Sequence, residues 1–127
     1  MIIDLNHVNI VTDKVEETRA FFERVLGLTT GYRPNFDFDG AWLYAGDKPV
    51  VHLQALDSSR NARPEERASA GPLDHASFDV ADIAVARERL NANAVKFREV
   101  RSPDGRNDQI FFRDPNGVVI ELIARVA

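Results

Sequence analysis

Leu5-Asn6-His7-Val8-Asn9-Ile10 reads leucine, polar, histidine, small apolar, polar, large apolar, and the same order returns at Leu73-Asp74-His75-Ala76-Ser77-Phe78. The two histidines are 68 positions apart. Self-similarity on this scale marks a duplicated supersecondary unit. Each copy runs on into a helical pattern. In residues 13–27, Val15, Arg19, Phe22 and Leu26 fall on one side, and Phe21 and Val25 widen the apolar stripe. Asp13 with Glu16 makes a capping-box-like start, and Gly27 is a natural stop. In residues 82–93, Asp82 caps the start, Ile83, Ala86 and Leu90 face inward, and Asn93 ends the helix.

Three strand-like stretches follow each helix: residues 28–32, 41–45 and 50–56 in the first half, and 95–101, 109–113 and 118–124 in the second. Asp47-Lys48-Pro49 and Asp114-Pro115-Asn116-Gly117 are the turns into the last strand of each half. The order is therefore strand, helix, strand, strand, strand, twice over, in an α+β chain. Module one is expected over residues 1–56 and module two over 72–127. The polar, charged stretch 57–71 between them reads as a linker.

The last strands also align. Val50-Val51-His52-Leu53 matches Val119-Ile120-Glu121-Leu122, and Glu121 follows His52 by 69 positions. Side chains alternate across a strand. Val8 and Ile10 therefore share one face, and His7 and Asn9 the other; Ala76, Phe78 and Val80 oppose His75 and Ser77. In the closing strands Val51 and Leu53 oppose His52 and Gln54, as Ile120 and Leu122 oppose Glu121. One face of each half is a hydrophobic core, and the other carries a few polar groups, as a pocket wall does. Four residues able to bind a metal thus fall at two repeat-equivalent positions. If the polar faces of the halves meet, His7, His75 and Glu121 are expected to converge, with His52 as a fourth ligand, a hydrogen-bonding wall residue, or an acid or base. A carboxylate buried beside imidazoles is costly alone, and a divalent cation removes that cost. Two histidines and one carboxylate leave open positions for water or substrate, which suits a catalytic metal.

With 127 residues the chain fits one compact domain, or two half-domains sharing a core. At 44% hydrophobic and 28% charged, its composition excludes disorder as the default reading. No apolar run approaches the ~20 residues needed to span a bilayer, so no membrane partner is expected. Residues 1–12 lack the basic start and apolar block of a signal peptide. The net charge of −4 and scattered Lys and Arg argue against nucleic acid as a partner. With no cysteine there are no disulfides or thiolate ligands, which fits a reducing cytoplasm.

The chain resembles the vicinal oxygen chelate superfamily, which includes glyoxalase I, bleomycin-resistance proteins, fosfomycin-resistance enzymes, methylmalonyl-CoA epimerase and extradiol dioxygenases. The resemblance spans the whole chain. It rests on Leu5-Asn6-His7-Val8, Arg19-Ala20-Phe21-Phe22, Leu26-Gly27-Leu28, Leu73-Asp74-His75-Ala76-Ser77-Phe78, and above all Phe112-Arg113-Asp114-Pro115-Asn116-Gly117-Val118-Val119-Ile120-Glu121-Leu122. It implies two βαβββ modules forming a curved mixed sheet around a metal site. It also implies that His7, His75 and Glu121 match the metal ligands of the catalytic members. His52 stands where glyoxalases carry a glutamate or glutamine that serves as ligand and base.

The expected function is that of a divalent-metal-dependent enzyme acting on a small molecule with adjacent oxygens, by glyoxalase-like lyase or epimerase chemistry with His52 as the catalytic base. The expected cofactor is one ion of Fe, Mn, Co, Ni or Zn. The alternatives are an extradiol ring-cleaving dioxygenase and a metal-independent small-molecule-sequestering resistance protein. The dioxygenase is favoured by the aromatic stretch of Tyr32, Phe36, Phe38, Trp42 and Tyr44. Those aromatics either line the site, plug the end of the fold or form a dimer seam. Arg33 is expected in solvent or on an anionic substrate, and residues 102–108 as a mobile loop. A homodimer is expected, since family members often pair modules between chains.

Overall fold

The structure is a computed structural model that describes residues 1, 4–57 and 73–127. It contains two compact units, residues 1–70 and 71–127. Apart from Asp57, the expected linker lies outside the described residues. Each unit is a βαβββ module. The first runs β1 (Val8–Thr12), α1 (Val15–Leu26), β2 (Thr29–Gly31), β3 (Gly40–Ala45) and β4 (Lys48–Ala55). The second runs β5 (Ala76–Asp79), α2 (Ile83–Ala92), β6 (Arg98–Arg101), β7 (Asn107–Arg113) and β8 (Val119–Arg125). The sheets have orders β1-β4-β3-β2 and β5-β8-β7-β6. In each, the first strand pairs parallel with the last, and the other pairs are antiparallel. The closing strand is therefore internal, with a neighbour on either side.

In the first unit α1 packs on β3 and β4. Phe22, Leu43 and Val51 are fully buried, and Leu53 nearly so. Truncating Phe22 to alanine would cost roughly 3–5 kcal/mol. Two details of α1 differ from the sequence reading. The buried positions are Val15, Thr18, Phe22 and Val25, and Arg19 instead forms ion pairs with Glu16 and Glu23, both at 2.8 Å. Thr18 can replace it inside because its hydroxyl donates to the Lys14 carbonyl at 2.8 Å, satisfying its only polar group. The N-cap is Lys14, with no side-chain cap, so Asp13 does not fill that role. The Lys14 amide is instead taken by Thr12 Oγ1 at 3.0 Å. At the other end Gly27 has φ 69°, a left-handed value that glycine adopts without steric cost.

In the second unit α2 packs on β7 and β8 around Leu90, Ile110 and Ile120, with Phe112 beside them. Asp82 caps α2 by accepting from the Ala84 amide, and Asn93 closes it. The turn into β8 is built by Asp114, which is 5% exposed. Its Oδ1 accepts from the amides of Asn116 and Val118, both at 2.8 Å, while Gly117 takes φ 82°. The corresponding turn in the first unit is Gly46-Asp47, so Lys48 and Pro49 already belong to β4. Pro49 is tolerated there because β1 begins pairing with β4 only at Val51, so no ladder donor is needed on that side. Residues 102–106 form a hydrogen-bonded hairpin connection. Ser102 N donates to Asn107 O at 2.9 Å, and Ser102 Oγ to Asp104 at 2.6 Å. No helix among the described residues is long and apolar enough to cross a membrane.

Candidate functional site

The register of the first sheet sets Asn9 and Trp42 on either side of His52. Directly paired positions share a face, so Asn9, His52 and Trp42 form one row opposite the α1 core. His7 precedes Asn9 by two residues and stands over the same face. Its ring stacks on His52 with centroids 3.7 Å apart, and the Trp42 indole covers the other side at 3.9 Å. His52 is thus the middle ring of three and only 8% exposed. Its Nε2 is buried with no hydrogen-bond partner. Burial is the largest influence on its titration and pushes its pKa below the ordinary histidine value. The neighbouring His7 adds to this, and a hydrogen bond with the Pro49 backbone opposes it without winning. At neutral pH His52 is therefore an uncharged imidazole.

The aromatic stretch continues outward from Trp42. Phe36 lies 6.3 Å from Trp42 and 5.0 Å from Phe38, centroid to centroid. The Arg33 guanidinium sits over both phenyl rings, 4.9 and 5.0 Å from their centroids, and donates to the Phe38 carbonyl at 2.9 Å. Trp42, with Phe36 beyond it, therefore lies on the His52 face of the first sheet.

The second sheet repeats the row with different chemistry. Glu121 is flanked by Ser77 and Phe111 in register. It is 7% exposed. Its Oε1 accepts from Gln109 Nε2 at 2.6 Å, and its Oε2 lies 3.8 Å from His75 Nε2. The Phe111 ring meets His75 edge-on at 5.8 Å.

The two exposed histidines share a further feature. His7 Nδ1 lies 2.7 Å from Asn6 Oδ1, and His75 Nδ1 lies 2.7 Å from Asp74 Oδ2. An acceptor at Nδ1 places the ring proton there and leaves the Nε2 lone pair free, which is the arrangement of metal-binding histidines. Asn6 and Asp74 occupy equivalent positions of the repeat, so each histidine carries its own orienting partner. Each unit therefore brings together two of the four candidate ligands, His7 with His52 and His75 with Glu121. Among the described residues no group of three or more His, Asp or Glu forms a cluster able to hold an ion. By donor type, each pair suits a divalent ion of borderline or hard character: in the first unit an imidazole freed by its partner and a buried unpartnered Nε2, in the second an imidazole and a buried carboxylate, with no sulfur.

The roles of Asn6, Asp74 and Gln109 escaped the sequence reading. The first two were visible as the polar residue preceding each histidine. Gln109 needed the β7–β8 register, which sets it diagonally from Glu121.

Comparison with known proteins agrees with this architecture. The chain is 31% identical over 122 residues to Glyoxylase I 4 of Arabidopsis thaliana, covering 93% of this chain and 68% of that protein. It is 28% identical over 124 residues to the glutathione transferase FosA of Serratia marcescens, covering 96% of this chain and 81% of that one. A solved structure assigned to the glyoxalase family from Bacillus anthracis superposes with a TM-score of 0.77 at 21% identity, covering 99% of this chain and 98% of that chain. Residues 4–122, nearly the whole chain, match the family described as the Glyoxalase/Bleomycin resistance protein/Dioxygenase superfamily, and the protein belongs to it.

Proposed function

We propose that the protein is a divalent-metal-dependent enzyme that acts on a small molecule with two adjacent oxygens, by proton transfer of the glyoxalase-like lyase or epimerase kind. His7, His75 and Glu121 are the proposed ligands of one ion, Fe, Mn, Co, Ni or Zn, with His52 as fourth ligand or base. The observation that carries this reading is the orientation of both histidines through Nδ1, by Asn6 and Asp74, at matched positions of the two modules. When bound, a divalent ion supplies Lewis-acid stabilisation of negative charge on the substrate oxygens. His52 holds a neutral imidazole with a free buried Nε2 between two rings that restrict its rotation, which suits a proton acceptor. The Arabidopsis and Serratia relatives are named as enzymes, a glyoxylase and a glutathione transferase, which favours catalysis over sequestration.

The test is turnover by metal-loaded protein on small molecules bearing adjacent carbonyl or hydroxyl oxygens, with oxygen uptake followed in parallel. In His52→Ala, turnover should fall by about a hundredfold or more while the melting temperature changes little. Full turnover in that variant ends the base assignment. A second reading, a ring-cleaving dioxygenase, is favoured by the aromatic run from Phe38 to His52, and substrate-dependent oxygen uptake would select it. Ligand binding unaffected by metal removal would select the sequestering reading.

We also propose a homodimer. Leu5, Tyr32 and Leu73 are 70%, 76% and 73% exposed in the single chain, which leaves apolar surface for a partner to cover. A monomer mass at micromolar concentration with metal present would count against it.

A further inference from the structure

The row through Glu121 does not end at Phe111. β6 is the outer strand of its sheet, and its register sets Arg98 directly beside Phe111. Ser77, Glu121, Phe111 and Arg98 are therefore consecutive on one face, with Arg98 two strand spacings, or about 10 Å, from Glu121. The Arg98 guanidinium lies over the Phe111 ring, 4.8 Å from its centroid, and the same ring contacts His75. Here an open groove of about 440 Å³ is lined by Lys96, Arg98, Phe111 and Arg113 among others.

The groove is basic by allocation of charge. Two other arginines near this edge have carboxylate partners: Arg87 binds Glu99 at 2.6 Å and Arg101 binds Asp108 at 2.9 Å. Lys96, Arg98 and Arg113 have no carboxylate partner among the described residues, and Arg113 only donates to the Gly117 carbonyl at 2.8 Å. Among the described residues, no acidic one lines the groove. A guanidinium resting on an aromatic face keeps its edge N–H groups free for an oxyanion, and it is the geometry best suited to bidentate binding of one.

We infer that this groove binds an oxyanion group, phosphate or carboxylate, with Arg98 as its principal contact and Lys96 and Arg113 as supporting charges. This rests on the proposed function in one respect: if Glu121 and His75 serve a metal, the bound oxyanion belongs to the substrate. The substrate class is then a small anionic molecule that carries an oxyanion end separate from its reacting oxygens.

The experiment is an amide NMR titration of the metal-free full chain with inorganic phosphate, and separately with acetate, each against sodium chloride at equal ionic strength. Saturable shifts at residues 96–98 and 111–113 with either oxyanion are expected. Arg98→Gln should weaken binding about tenfold. Lys96→Gln should weaken it by less, and Arg101→Gln, whose arginine is already paired, should leave it unchanged. Shifts that only follow ionic strength, or wild-type affinity in Arg98→Gln with an otherwise unchanged spectrum, overturn the inference. Since no metal is present, failure here leaves the metal proposal standing, and loss of metal binding in Glu121→Gln leaves the groove standing.

Discussion

His7 and His52 stack face to face, with centroids 3.7 Å apart and planes 12° from parallel. Two protonated imidazoles could not hold this contact without repulsion in a buried setting. His52 is already held below the ordinary histidine pKa, mainly by burial and next by His7. Above about pH 6.5 His52 is neutral in both folded and unfolded chains and contributes no pH dependence. As pH falls below that, the unfolded chain takes up a proton that the folded chain refuses, so stability declines. The metal-free protein should therefore lose melting temperature between about pH 7 and pH 5. His52→Phe keeps a flat ring in the stack without a titrating group, and its curve should be flatter. An equally steep curve in that variant would remove His52 as the cause.

Metal content measured by elemental analysis after dialysis should approach one divalent ion per chain. His7→Ala and His75→Ala should each abolish it, since each removes a nitrogen ligand outright. Glu121→Gln should weaken it by removing charge while keeping shape. Because neutral imidazoles are the ligating form, protons compete with the ion and affinity should drop as the solution is acidified. Wild-type occupancy in any of the three variants removes that residue from the set.

Asn6 and Asp74 offer a subtler check. Both are exposed, so replacing either by alanine should barely move the melting temperature. If they orient His7 and His75, each substitution should lower metal affinity about 10- to 100-fold. Gln109→Leu should act similarly by releasing Glu121 Oε1. Titration with a competing chelator separates this outcome from the unchanged affinity expected of incidental surface contacts.

Asp114→Ala should destabilise the second unit by about 2–3 kcal/mol, because two backbone amides and the Asn116 side chain lose their acceptor. Chemical denaturation of the metal-free protein measures it. Asp114→Asn keeps an acceptor and should recover part of the loss.

Much of this architecture can be read from one sequence because the chain states it twice. The repeat aligned His7 with His75 and His52 with Glu121, and alternation along β1, β4, β5 and β8 assigned their face. Strand pairing could not be read that way. The neighbours of His52 and Glu121 across the sheet, Trp42 and Phe111, are set by register between segments distant in sequence. So is Arg98, whose place beside Phe111 depends on β6 being an edge. The start of α1 differs for a local reason: the Thr12 hydroxyl accepts from the Lys14 amide, and the helix begins one residue later than the capping box of Asp13 and Glu16 implied, at the N-cap Lys14.

Two of the four outer strands, β2 and β6, have a consequence for solution behaviour. A strand with a free side presents unpaired amides and carbonyls on which another chain can build a cross-chain ladder. β2 limits that risk by its length of three residues. β6 limits it by composition, since three of its four residues are charged. Arg98 and its neighbours therefore protect the protein from polymerising through this border. That protection is electrostatic, so it weakens in concentrated salt, where the Debye length shrinks to about 3 Å at 1 M.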